Sequence, residues 1–263
     1  MKGEVDQAAE VLGVLWAALP SGRSEIHRTR LHGVSLELAD RFPMAESVST
    51  LLYKATVAYG QMDDFPAATT TASRMVSVWR ARCQSGPTDE ALCRHAHALD
   101  TLASTYRARG MREAVAGCLV ELVEWHFTYG NSVGVAWALR ELGALAILSG
   151  HLEGASTKLI RADELYADCA EDSEIASERA ECHVLLGRLA RAKGRLHVAE
   201  QWFNKALECL KDGAAEEARA LRDATRGGQP LPSTSILVVG EFGLPIWGPP
   251  RAPSVGLGVR SVG

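Results

Sequence analysis

The stretch Ala180–Asp212, AECHVLLGRLARAKGRLHVAEQWFNKALECLKD, decides the fold. Leu186 and Gly187 are followed by Ala190, Gly194, Ala199, Phe203 and Ala206, the spacing of two helices joined by a turn at Gly194. Small residues on the facing sides let the two backbones approach, and Phe203 fills the gap between them. The stretch is therefore read as an antiparallel helix pair closed on a buried seam.

The same order of sizes recurs upstream. From Ala136 the chain runs through Leu139, Leu142, Gly143, Ala146, Gly150, Ala155, Leu159 and Ala162, with Leu159 as the large seam residue. Before it come Leu99, Leu102, Ala103, Tyr106 and Gly110, then Val115, Leu119 and Leu122. A weaker copy holds Leu52, Thr56, Tyr59, Asp63, Ala68 and Ala72. Repetition of one supersecondary unit is the signature of a solenoid, in which each repeat buries its apolar face against its neighbours.

On these residues the chain resembles the tetratricopeptide repeat family, whose first helix carries Leu-Gly and whose second carries Ala followed by an aromatic. Gly187, Ala199 and Phe203 match that pattern, while His183 stands where the family often has Trp and Ala190 where it often has Tyr. The repeats are longer than the family's period of about 34 residues: Gly187 follows Gly143 by 44 residues, Gly143 follows Ala103 by 40, and Ala103 follows Thr56 by 47. This spacing overlaps that of HEAT and armadillo arrays, but the small residue on the first helix with a Gly seven residues later favours the tetratricopeptide-like pattern. The resemblance implies an all-α fold, a right-handed α-solenoid of antiparallel helix pairs, over residues 1–226.

Composition agrees with a helical array. The chain has 47% hydrophobic and only 6% aromatic residues, carried by Ala, Leu and Val, which suits close-packed helices. The net charge of −4 divides into −5 over residues 1–226 and +1 over the remainder, which excludes a basic phosphate-backbone footprint and so direct nucleic-acid binding. Arginine outnumbers lysine 22 to 6, pointing to a GC-rich, bacterial coding source. Cys83, Cys93, Cys118, Cys169, Cys182 and Cys209 are spread singly with no C-x-x-C pair, as buried reduced thiols would be. No apolar run reaches the roughly 18 residues of a membrane span and no signal segment is evident, so the expectation is a soluble cytoplasmic protein that does not bind membranes.

Taken in order, the periodicity predicts helices over Val5–Leu19 and Ser24–Arg41, a capping pair within residues 1–43. Ala8, Val11, Leu12, Leu15 and Leu19 form the inward stripe of the first, and Leu31, Val34, Leu38 and Phe42 that of the second. Helices follow over Met44–Gly60, Asp64–Arg82, Asp89–Arg109, Arg112–Tyr129, Ser132–Leu148, Leu152–Cys169, Ser173–Lys193, Leu196–Leu210 and Ala214–Thr225. From Gly227 to Gly263 the sequence holds 8 Gly and 6 Pro yet keeps Ile236, Leu237, Val238, Val239, Phe242 and Trp247. That tail is a flexible terminus, a sequence no longer under selection, or a strand that docks on the solenoid or on a partner.

Three chemical motifs were weighed. Gly130-Asn131-Ser132-Val133-Gly134 spells G-x-S-x-G, but both flanks are helical. The strand-to-helix strain that exposes a nucleophilic serine is missing, and Ser132 reads as a helix cap after a turn at Gly130. Cys93, His95 and His97 form C-x-H-x-H; on a helix His95 points away from the other two, so the three do not converge on a tetrahedral metal. Gly256-Leu257-Gly258 precedes no helix and cradles no phosphate. No catalytic residue, metal or cofactor is expected.

What remains is the groove. In the family resembled, first helices line the concave face, which implies Thr50, Tyr53, His97, Asp100, Ser104, Arg107, Trp137, Arg140, Arg188 and Arg191 as its lining here. Arginines among aromatics suit an extended peptide with acidic side chains or a free carboxylate, although Arg188, Arg191 and Arg195 read equally as a solvated stripe paired with Glu178 or Glu181. The family's chaperone-tail clamp of Lys and Asn is absent. The expectation is a non-enzymatic adaptor that binds a protein or peptide. The alternative is a bacterial signal-sensing regulator acting through a transcription-regulator partner, and a serine hydrolase built on Ser132 stands third.

Overall fold

The computed structural model describes residues 2–18, 25–43, 45–169, 173–210 and 216–226, with the side chains of residues 2, 216 and 217 left aside. Among them are eleven helices and no strand: α1 (Lys2–Ala18), α2 (Glu25–Arg41), α3 (Glu46–Gln61), α4 (Phe65–Ser85), α5 (Asp89–Ala108), α6 (Arg112–Thr128), α7 (Ser132–Leu148), α8 (Leu152–Ala167), α9 (Ser173–Ala192), α10 (Leu196–Cys209) and α11 (Glu216–Arg226). Each helix from α3 onward packs on its predecessor, and α1 packs on α3. This is an all-α solenoid. The Gly/Pro-rich tail of residues 227–263 lies outside the described residues.

The seam residues meet as their sizes require. A Cβ on Gly143 would stand 2.6 Å from Cγ of Leu159, and one on Gly187 would overlap the ring of Phe203. Leu159 and Phe203 are completely buried, as are Ala103, Leu119, Thr56 and Ala72 at the equivalent positions. Gly faces Phe or Leu, Ala faces Leu, and Thr faces Ala, so the gap is filled at each level without overpacking.

One turn closes these pairs. Gly110, Gly150 and Gly194 have φ of 69°, 75° and 73°, and Asp63 stands at the same place with φ 58°. After each, the next N–H donates back five residues: Met111 to Tyr106 O at 3.0 Å, His151 to Ala146 O at 2.8 Å, Arg195 to Ala190 O at 2.9 Å and Asp64 to Tyr59 O at 3.0 Å. This left-handed cap satisfies an orphan carbonyl and reverses the chain. The turn residue lies seven positions after the first seam residue and nine before the second in all four pairs. The register inside a pair is thus fixed, and the irregular period arises entirely between pairs, where α4 extends to 21 residues and α6 to 17.

The first pair departs from the expected faces. On α1 the buried hydrophobic side chains are Val5, Ala9 and Trp16, with Leu12 half-buried beside them, whereas Ala8, Val11 and Leu15 are exposed. The helix carries two apolar stripes that share Leu12, and the bulkiest residue decides between them. Trp16 buries its ring 4.9 Å from that of Tyr59 and donates its Nε1–H to Ser35 Oγ at 3.0 Å, which removes the cost of an unpaired indole N–H. On α2 Val34 is likewise exposed, while Ser35 and Ala39 are buried. Leu31, Leu38 and Phe42 do face the core as expected. Cys93 also departs from the reading of buried thiols, being exposed.

Candidate functional site

Relative to the seam residues Thr56, Ala103, Gly143 and Gly187, the expected groove residues fall into four registers. Six positions before the seam stand Thr50, His97 and Trp137; three before it, Tyr53, Asp100 and Arg140; one after it, Ser104 and Arg188; four after it, Arg107 and Arg191. These offsets share one helical face. Thr50 is exposed, Arg140 is buried, and the rest are half-buried.

Two groups form on that face. The first joins α3 and α5: the rings of Tyr53 and His97 stand 5.2 Å apart, and Asp100 lies close enough to act electrostatically on Tyr53. Burial pushes the Asp100 carboxyl up to about 6; Arg107 counters this and Glu141 adds to it. Burial pushes the His97 imidazole down, and Arg94 adds to that.

The second group is an ion-pair ladder along α5, α7 and α9. Arg107 pairs with Glu141 at 3.2 Å, and Arg140 pairs with Glu141 at 3.1 Å, with Glu178 at 2.8 Å and with Glu181. Tyr166 donates its hydroxyl to Glu178 at 3.4 Å. Burial alone would lower the Arg140 guanidinium, but the three carboxylates outweigh it and hold Arg140 above its ordinary range. Arg140 is therefore a cross-repeat tie rather than an open cation. Arg191 donates to Thr225 Oγ1 of α11 at 3.0 Å, which fastens the last described helix. The carboxylates Glu178 and Glu181, read from the sequence as partners for Arg188, Arg191 and Arg195, pair with Arg140.

The opposite side of α5 holds a group the sequence reading passed over. His95 is completely buried, its ring 4.1 Å from that of Trp125 and its Nε2 3.9 Å from Glu121. Burial pushes it down to about 4. Trp125 continues to Tyr129 at 4.9 Å and lines an open 580 Å³ cleft with Arg80, Glu121 and Thr128. His95 thus points to α6 while His97 meets Tyr53, and among the described residues no group of three metal-ligating side chains comes together.

At the G-x-S-x-G turn, Gly130 ends α6 with φ 70°, and the cap of α7 is Asn131 rather than Ser132. Asn131 Oδ1 accepts from Gly134 N–H at 2.9 Å, and its Nδ2 lies 3.2 Å from His126 Nδ1. Ser132 is the exposed first residue of the helix. Among the described residues no helix is long and apolar enough to cross a membrane.

No protein-family model and no curated relative matches the sequence. Solved structures do resemble the fold. The apo form of RapI aligns over 78% of this chain and 71% of its own, with a TM-score of 0.58 and 14% identity. BtubC (BKLC) from P. vanneervenii aligns over 87% of this chain and 85% of its own, with a TM-score of 0.52 and 17% identity. At these identities the likeness establishes the helical-repeat fold.

Proposed function

We propose that the chain is a non-enzymatic, cytoplasmic protein-interaction module, tetratricopeptide-like in its helix pairs, which binds an extended segment of a partner along the face bearing Tyr53, His97, Asp100 and Trp137. The observation that carries this reading is the half-exposed row itself. Aromatic and polar side chains keep two adjacent registers across three successive first helices, where an array otherwise needs only packing residues. Such a row offers aromatic surface to side chains and polar groups to a main chain, as helical-repeat grooves require.

The charge of the segment follows from the ladder. Over α5, α7 and α9 the face holds Asp100, Glu141, Glu178 and Glu181 alongside Arg107, Arg140, Arg188 and Arg191, and Arg107 and Arg140 are paired with carboxylates of the chain. A carboxylate of the ligand would meet Arg107 and Arg140 already engaged by Glu141, Glu178 and Glu181. Around Asp100 a basic or neutral side chain suits the surroundings, and a cation there would draw the carboxyl into its charged form.

Photo-crosslinking groups placed at positions 97 and 137 of the full chain, with a control at the exposed Val120 of α6, test the site. One partner captured from 97 and 137, and weakened about tenfold by Asp100→Lys, supports it; capture from 120 alone overturns it. A captured protein bearing a DNA-binding domain would select the narrower reading of a signal-responsive regulator. Ester turnover that vanishes in Ser132→Ala would overturn the non-enzymatic assignment.

A further inference from the structure

Where α8, α9 and α10 meet, a thiol, an imidazole and a carboxylate stand in line. Cys209, on the last turn of α10, has its Sγ 3.8 Å from Nδ1 of His183 on α9. Nε2 of His183 in turn lies 2.8 Å from Oδ1 of Asp163 on α8, and Arg179 Nε donates to the same Oδ1 at 2.7 Å. His183 is buried, its ring 5.4 Å from that of Trp202. Cys209 is only half-buried, which leaves its sulfur open to a small molecule.

The order of these contacts fixes the protons. Burial would raise the Asp163 carboxyl, but the hydrogen bonds from His183 and Arg179 keep it ionised, so it can only accept. The imidazole proton therefore sits on Nε2, and the lone pair of Nδ1 faces the thiol. Burial pushes the Cys209 thiol up; Arg179 counters this, and Asp163 and Glu208 add to it. Such a thiol is protonated at neutral pH, yet its thiolate is more nucleophilic than that of an acidic thiol. Its reaction needs a base in contact, and Nδ1 supplies one.

We propose that Cys209 is a modification site that takes a low-molecular-weight disulfide, with His183 as its base and Asp163 as the positioning residue. The Sγ proton passes to Nδ1 as Sγ attacks one sulfur of the disulfide. The new sulfur–sulfur bond forms as the old one breaks; Cys209 is oxidised, and the departing sulfur is reduced and takes the proton back from the imidazolium. Until then Asp163 stabilises the imidazolium charge. The product remains a mixed disulfide, because Cys169 and Cys182 turn their thiols to Leu165 O at 3.1 Å and Leu159 O at 3.3 Å rather than to Cys209. This site does not depend on the groove around Tyr53 and Asp100.

Hydroxyethyl disulfide added to the reduced full chain tests the proposal, with adducts located by peptide mass spectrometry. Cys209 should react at least about tenfold faster than Cys93, the more exposed thiol. His183→Asn and Asp163→Asn should each slow Cys209 by about tenfold or more while the buried Cys182 stays unlabelled. Unfolding cannot mimic this, since it would expose thiols and speed labelling. The pH dependence separates a base from a scaffold. Between about pH 7.5 and 8.5 the wild-type rate should rise less than about threefold, and that of His183→Asn about tenfold, as the thiolate fraction does. Labelling of Cys93 first, a rise of about tenfold in the wild-type chain, or either variant reacting at Cys209 as fast as wild type overturns the proposal.

Discussion

The pairs α7/α8 and α9/α10 and the pair α1/α2 draw on the same residue types, yet they constrain their own packing unequally. In the later pairs a glycine faces a large side chain, Gly143 against Leu159 and Gly187 against Phe203, and no rotation of either helix preserves that fit. In α1 two apolar stripes compete, and only the placement of Trp16 against Tyr59 and Ser35 selects one. Shape complementarity between a void and its filler specifies a face; apolar periodicity alone specifies that some face is buried.

The largest effect that would break this contrast is at the filler. Phe203→Ala should cost about 3–5 kcal/mol in denaturant unfolding, as for a fully buried aromatic, whereas Leu15→Ala on the open stripe of α1 should stay within about 0.5 kcal/mol under conditions where the chain is monomeric. Equal costs would end the distinction. Filling the void is the converse change. Gly187→Ala gains helix propensity of up to about 1 kcal/mol but overpacks Phe203, and should destabilise by a net 1–2 kcal/mol or so. Adding Phe203→Leu recreates the Ala103–Leu119 pairing and should recover part of that loss, measured as a double-mutant cycle.

Two aspartates sharpen the comparison between groove and core. Burial would raise the Asp163 carboxyl, but hydrogen bonds from His183 at 2.8 Å and Arg179 at 2.7 Å prevail and hold it at about 2. Its folded value lies below the unfolded one, so its contribution is present above about pH 4 and is lost as the pH falls towards 2. Asp163→Asn should therefore destabilise by about 1–2 kcal/mol at pH 7 and converge on wild type in acid. Asp100 has the opposite sign. Its folded value of about 6 exceeds the unfolded one, so stability is greatest below about pH 4 and declines as the pH rises through 6. Asp100→Asn should add about 1 kcal/mol at pH 8 and nothing at pH 4, read from thermal melts at the two pH values. The smallest change tests the turn: Asp63→Gly should stabilise by up to about 1 kcal/mol, because Asp63 alone among the described non-glycine residues holds positive φ.

Much of the fold was legible because its signals are local. Turn glycines and the seam sizes each act within one pair, and α7 occupies Ser132–Leu148 as the periodicity requires. Less of the candidate site could be read. The register of Arg140 on α7 follows from its spacing, but its partners Glu178 and Glu181 lie one repeat away, brought into reach by the way α9 packs on α7. That packing depends on the connection between pairs, where the spacing is irregular. The burial of His95 beneath Trp125 was hidden for the same reason, since nothing in the spacing of α5 says which residue of α6 will meet it.

The fixed register within each pair makes the connections between pairs the natural sites of insertion. Residues Gly86–Thr88 between α4 and α5 are exposed and lie beyond both seams, so an added domain or fluorescent reporter at Gly86 would lengthen the chain without moving Thr56 from Ala72 or Ala103 from Leu119. Each helix pair is then a cassette, and an array of this kind can gain or lose length by whole cassettes while every seam inside them stays closed.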